Sequence, residues 1–171
     1  MKKSGFTLIE LVLVIVLLGV LAVTALPKFV DIQDDAHNEV TRATMGAFRA
    51  GVQMLRLKWQ TNGQPSSLTI NGTLFNFTSE GWAEKPTDDA DGCMVLWNTV
   101  LESPPNIETF SQTLAISDWS ALYLTAFGVN ECFFYNHHGE VWVNATTDMF
   151  SYYPEPVAGN PAGTIIGWNL D

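Results

Sequence analysis

Between Phe6 and Leu26 the sequence reads FTLIELVLVIVLLGVLAVTAL, twenty-one residues in which Glu10 is the one charge. A run this apolar does not belong on a water-facing surface. As a helix it is about 31 Å long at ~1.5 Å per residue, which matches the hydrocarbon thickness of a bilayer. The acid is the difficulty, because a carboxylate inside such a helix costs ~2.5 kcal/mol or more in lipid. A plain single-pass anchor accounts for the length and for Lys2 and Lys3 ahead of it, but leaves Glu10 without a partner. A secretory signal peptide accounts for the lysines, and loosely for Val23, Thr24 and Ala25 before a cut, but not for Glu10 or Pro27.

The remaining residues are enough for one folded head. Seven of the eight Lys and Arg lie at or before Lys58, while thirteen of the eighteen acids follow residue 60, so the C-terminal part carries a formal charge of −12. A surface of that sign repels phosphates, which argues against nucleic-acid binding. Cys93 and Cys132 are the two cysteines, 39 positions apart and too distant for a CxxC redox or zinc pair. The positive-inside rule keeps Lys2 and Lys3 cytoplasmic and places everything beyond Pro27 outside, where a disulfide would persist. Two buried, unpaired thiols are the alternative.

Past Pro27 the helical period resumes. Phe29, Ile32, Ala36, Val40, Ala43, Ala47, Ala50 and Met54 recur at three- and four-residue steps, with Phe48, Val52, Leu55 and Trp59 as a second row beside them. The expectation is one helix, kinked at Pro27, whose apolar face widens where it enters the head, with TNGQP at 61–65 ending it. Beyond it, LTINGTLF predicts a hairpin turning at Asn71-Gly72. CMVLWNTVLE predicts a helix burying Cys93, Leu96, Trp97, Val100 and Leu101, capped by Asp91 or Gly92 and stopped by Pro104-Pro105. Strands are expected at 120–127, 132–135, 140–144 and 164–168, with CFFYNHHGEVWVN forming a second hairpin. The fold class is therefore α+β: a long kinked N-terminal helix whose C-terminal half packs on an antiparallel β-sheet head.

The short basic leader KKSG followed by FTLIELVLVIVLLGVLA resembles the start of a type IV prepilin. The resemblance covers about the first 60 residues and implies a pilin fold. By it, residues 1–5 form a leader removed by prepilin peptidase after Gly5, and Phe6 becomes the new, N-methylated terminus. Residues 6–26 are then the transmembrane and filament-core helix, 27–62 its amphipathic continuation, and 63–171 an extracytoplasmic globular head. Glu10 falls at the family's assembly acid, and Gly19 and Pro27 at positions where its helix is weakened or kinked. Cys93 and Cys132 resemble the pair that closes the pilin D-region as a disulfide, and GCMVLWNTVLESPP is similar to pilins of the mannose-sensitive haemagglutinin type. The implied role is a structural subunit of a surface filament for adhesion or motility. Its partners would be copies of itself, other pilins, the peptidase, the inner membrane and the pilus assembly machinery. Type II secretion pseudopilins share the same N-terminus, and a minor adhesin pilin at a filament tip is a further alternative. Chemistry gives the acid a purpose: cleavage after Gly5 leaves an amine at Phe6, and in staggered helices that amine can meet the Glu10 carboxylate of a neighbour, offsetting two desolvation costs.

Other patterns are weaker. Asp88, Asp89, Asp91 and Gly92 partly resemble a calcium loop, with Thr87 at the first ligand position and Asn98 where the last acid belongs; a solvated acidic loop capping the next helix is the expected reading. His137 and His138 are adjacent, so a strand would point them to opposite faces, and a hairpin turn is expected there. His37 is expected on the surface, and Asn71, Asn76 and Asn144 in N-x-T triplets are expected as turn and strand residues. The sequence contains no G-x-S-x-G, supported Cys-His pair or phosphate-cradling glycine loop, so neither an enzyme nor a cofactor is expected.

Overall fold

The computed structural model describes residues 6–111, 117–125, 131–137, 147–157 and 159–170. The chain divides into two compact units, Met1–His37 and Asn38–Asp171. Helix α1 runs Leu8–Thr61 and is helical through both Gly19 and Pro27. In the first unit its apolar side chains are open: Leu8, Ile9, Leu11, Leu13, Leu17 and Leu21 are all more than half exposed. The stretch Leu8–Ala25 is long and apolar enough to cross a membrane.

The second unit is the head. α1 stops in the TNGQP segment, as expected, because Gly63 and Gln64 take left-handed backbone angles (φ 82° and 59°) and the Gln64 N–H turns back to the Trp59 carbonyl at 3.1 Å. A hairpin follows, β1 Ser67–Ile70 and β2 Thr73–Asn76. Asn71 and Gly72 make its turn at φ 50° and 86°, the left-handed pair that a two-residue connection of this hand requires.

Helix α2, Ala90–Val100, buries Cys93, Leu96, Trp97 and Val100 along one face. Its N-cap is Asp89, not Asp91 or Gly92: the Asp89 side chain accepts from the Gly92 N–H at 2.8 Å, so the helix begins two or three residues earlier than expected. It ends at Val100, ahead of Pro104-Pro105, with the Leu101 N–H bonded to the Trp97 carbonyl. A five-stranded sheet completes the head in the order β3 Ile107–Thr109, β4 Trp119–Leu124, β5 Glu131–Asn136, β6 Asp148–Tyr153, β7 Thr164–Trp168. Four strands run antiparallel, but β3 pairs parallel to β4, so the sheet is antiparallel-rich and not purely antiparallel.

The β7 strand matches its expected bounds, while β4 ends at Leu124 instead of residue 127 and β5 extends one residue each way beyond 132–135. β3 and β6 were not anticipated: β3 is three residues long, and β6, DMFSYY, is nearly buried throughout and so lacks the alternation that marks a half-exposed strand. The expected strand 140–144 and the second arm of the CFFYNHHGEVWVN hairpin lie outside the described residues.

Both helices meet the sheet's inner face in an aromatic core. Phe48 of α1 sits 5.0 Å from Phe134, 5.4 Å from Phe150 and 5.7 Å from Tyr152, ring centre to ring centre. Trp97 of α2 lies 4.9 Å from Trp119 and 5.0 Å from Phe134. Burying side chains of this size stabilises by roughly 1.5–3 kcal/mol each, so this cluster is where the head's stability is concentrated. Close approach of the helices depends on Gly51, where a side-chain Cβ would run into the Val100 carbonyl. The disulfide joins the layers, linking Cys93 of α2 to Cys132 of β5 with Cα atoms 5.6 Å apart.

Candidate assembly site

Sequence reasoning left Glu10 waiting for an amine. In the single chain it already has a partner. Thr7 precedes the first turn of α1 and Glu10 closes it: the Glu10 carboxylate accepts from the Thr7 backbone N–H at 2.9 Å and from its hydroxyl at 2.7 Å. The Thr7 hydroxyl in turn accepts weakly from the Glu10 N–H, at 3.4 Å. This reciprocal capping box satisfies helix-end donors with the same carboxylate that sequence reasoning treated as unpaired. The signal was in the sequence, as T-x-x-E ahead of an apolar run. The carboxylate is thus held at the N-terminal end of α1 by Thr7, and the preceding Phe6 is 75% exposed. Residues 1–5, Gly5 among them, lie outside the described residues. Gly19 has open space around it.

The head's stretch of α1 carries a second feature that sequence reasoning blurred. The two apolar rows do not form one widened face. Thr41, Phe48, Val52, Leu55 and Trp59 are buried against the sheet and α2, whereas Ala36, Val40, Ala43, Ala47, Ala50, Met54 and Leu57 are exposed. Val40, Met54 and Leu57 are 52%, 64% and 55% exposed, which is high for side chains of that size. From Val40 onward the exposed row steps by three and four residues in strict alternation, the spacing of a seam that packs against another helix. Small residues at its middle leave room for a neighbouring backbone to come close.

The weaker candidates resolve into structural work. Asp89 is spent on the α2 cap and also accepts from the Thr87 hydroxyl at 2.6 Å; that bond, then the Gly92 N–H, lowers its carboxyl below the ordinary value. Asp88 pairs with Lys85 at 3.0 Å. Among the described residues no group of three or more His, Cys, Asp and Glu is placed to hold a metal ion. Lys85 is buried, its ammonium 4.3 Å from the centre of the Tyr123 ring. Beside it Glu84 faces a cavity of about 210 Å³ lined also by Asn76, Asp88 and Glu155. Burial raises the Glu84 carboxyl, and the charge of Glu155 raises it further. Burial pushes the Tyr152 phenol far up, and its hydroxyl donates to the Ala83 carbonyl at 2.9 Å.

His137 is not in an exposed turn. It is 3% exposed, just past β5, with its Nε2 2.7 Å from the Ser120 hydroxyl. His138 lies outside the described residues, and His37 is exposed as expected.

Residues 1–26 match the prokaryotic N-terminal methylation motif. Over its N-terminal part the chain is similar to type IV pilins and to type II secretion pseudopilins. Similarity extends to the type IV narrow pilus major component PilA5 of Thermus thermophilus, 41% identical over 66 residues, 39% of this chain and 55% of that one. The type II secretion system core protein G of Pseudomonas aeruginosa is 38% identical over 56 residues, covering 33% of this chain and 39% of its own. The prepilin peptidase-dependent protein A of Clostridium perfringens is 28% identical over 80 residues, 47% and 57% of the two chains. The chain spans between about four and six tenths of the length of these relatives. No solved structure matches it.

Proposed function

We propose that the chain is a structural subunit of a type IV pilus, cut after Gly5 by prepilin peptidase, methylated at Phe6 and assembled through α1 into a surface filament. In this reading residues 1–5 are the leader, 6–26 hold the precursor in the inner membrane and then enter the filament core, 27–62 carry the helix onward, and 63–171 form the head outside the cell. The observation that carries it is that α1 is apolar and exposed in two places. Leu8–Ala25 is open on all sides, and the row from Val40 to Leu57 is open on the side away from the sheet. Each is costly in water and needs covering, and parallel helices of further copies, or of other pilins, cover both.

Assembly then requires Glu10 to exchange its Thr7 hydrogen bonds for the amine of a neighbouring Phe6. The exchange sets register, while helix burial supplies the driving force: at ~25 cal/mol per Å², each 1,000 Å² of apolar burial is worth about 25 kcal/mol before ordering costs. Gly19 and Pro27 weaken the stretch between them, at about 1 and 3 kcal/mol in a helix interior, and would let it unwind in the filament. The GCMVLWNTVLESPP segment favours the mannose-sensitive haemagglutinin type of pilin. A second reading, a pseudopilin of a type II secretion system, is favoured by the likeness to core protein G. The disulfide-closed head weighs toward the pilus.

Intact-mass measurement of filaments sheared from cells tests this directly. An abundant chain beginning at methylated Phe6 is the expected result; a mature chain beginning at Leu26 would mean that the segment is a signal peptide. Glu10→Val should leave the precursor in the membrane while incorporation falls at least tenfold, and filaments at normal levels would remove the pairing role.

A further inference from the structure

Within the head α1 is held by two different means. From Phe48 to Trp59 the hold is chiefly apolar, through side chains that are 0–7% exposed, with Arg49 and Arg56 donating to the Ile165 and Glu80 carbonyls. Between Asn38 and Ala47 the one fully buried side chain is Thr41, whose hydroxyl accepts from the Asn136 amide at 2.9 Å. The apolar core does not reach this far, apart from Met45, which packs on its margin.

What meets this part of the helix is the segment that follows β7. After β7, Asn169 takes a left-handed angle (φ 57°) and reverses the backbone, and its side-chain amide donates to the Thr147 carbonyl at 3.0 Å. The reversal brings the Leu170 carbonyl to Arg42, whose Nη2 donates to it while Nη1 pairs with Glu39 at 3.3 Å. It also brings the Leu170 side chain into a notch in β7 at Gly167. A Cβ there would run into Leu170, and the Met45 sulfur lines the other side of the same notch. Backbone and side chain of Leu170 thus both reach α1, one through Arg42 and the other beside Met45.

We infer that Asn169 and Leu170 form a strap that fastens the Arg42–Met45 turn of α1 to the edge strand β7, so that this short segment sets how much of the helix the head holds. With the strap in place the docked helix begins near Thr41. With it released the firmly docked helix begins at Phe48, and the intervening turns keep the Thr41 bond and the contact of Met45 with the core margin. The core from Phe48 onward does not depend on the strap, so the change is confined to one end of the helix. A helical stretch that loses tertiary support is marginal in water, which makes release visible as local opening.

Amide hydrogen exchange on the full-length chain in detergent micelles, disulfide intact, tests the assignment with two chemically unrelated variants. Arg42→Ala removes the charge-assisted bond to the carbonyl. Gly167→Ala fills the notch and expels Leu170 while keeping a backbone angle that any residue can adopt. Each should speed exchange at residues 40–46 roughly tenfold and leave residues 50–59 unchanged, and truncation after Trp168 should reproduce the effect. Arg42→Ala added to the truncated chain should then change nothing further. Unaltered exchange at 40–46, or acceleration running evenly through residue 59, would overturn the strap. Should Gly167→Ala not fold, Arg42→Ala and the truncation still decide the matter.

Discussion

The two faces of α1 in the head look alike in sequence and behave as opposites. Phe48, Val52, Leu55 and Trp59 are apolar at helical spacing and buried; Val40, Ala47, Met54 and Leu57 are apolar at helical spacing and exposed. Hydrophobic period alone does not say what covers a face. The difference lies in residue size and in what the chain offers opposite. The buried row is large and mostly aromatic or branched and meets Trp97, Phe134 and Phe150, whereas the exposed row is mostly alanine at its centre and is uncovered among the described residues. One face builds the head, and the other is available to a second molecule.

The largest effects fall on the buried face and the staple behind it. Phe48→Ala should cost roughly 3–5 kcal/mol, since four aromatic neighbours lose their common contact and the space cannot refill. Chemical denaturation of the isolated chain measures it, and a loss under ~1 kcal/mol would mean that the aromatic cluster is not the core. Paired Cys93→Ser and Cys132→Ser substitutions should cost about 4 kcal/mol by the chain-entropy argument for a loop of this length. The reduced wild-type chain should show the same loss, and equal stability with and without reductant would contradict it.

Replacing Ala47 by Glu on the exposed face should do the reverse. Head stability should stay within ~0.5 kcal/mol, because the side chain enters solvent and touches no neighbour, while filament yield should collapse if this face receives another helix. Melting of the isolated chain and filament recovery from cells, measured on the same variant, separate the two effects. A destabilised head would show that the face is not free in the monomer; normal filaments would show that it is not used.

How far this was legible in the sequence depends on whether the relevant contact is local. The hairpin at Asn71-Gly72, the end of α1 at Gly63 and the buried face of α2 all follow from turn chemistry and period, which act over a few residues. The T-x-x-E box at Thr7 and Glu10 was equally local, and was obscured because Glu10 was considered for its charge before its helix position. The burial of β6, the parallel pairing of β3 and the assignment of α1's two rows to inside and outside depend on residues distant in the chain. His137 was misplaced for the same reason: its setting is made by Ser120 on the neighbouring strand. A disulfide between Cys93 and Cys132 could be expected from compartment and resemblance, but its role of joining α2 to β5 needed the topology.

The smallest expected effect has the opposite sign from the first. Glu84 shares its cavity with Glu155, and Lys85, the cation next to them, is already committed to Asp88 and to the Tyr123 ring. Burial, and then the Glu155 charge, hold the Glu84 carboxyl above its ordinary value. The folded head therefore binds that proton more readily than the unfolded chain does, and this site favours folding more as pH falls from neutral into the carboxylate range. At neutral pH the charge is a small liability, softened by solvent because the group is only partly buried. Glu84→Gln should accordingly raise the melting temperature by a degree or so at pH 7 for a domain of this size, and the gain should vanish in acid, where the wild-type carboxyl is itself neutral. Glu155→Gln should give part of the same gain, and the double variant less than the sum, because each removes the other's repulsion. Equal gains at pH 4 and pH 7 would point to packing and not charge. A loss at pH 7 would mean that Lys85 draws on Glu84 as well as on Asp88, so that the head's one late cation, and not the repulsion between its acids, governs this corner of the surface.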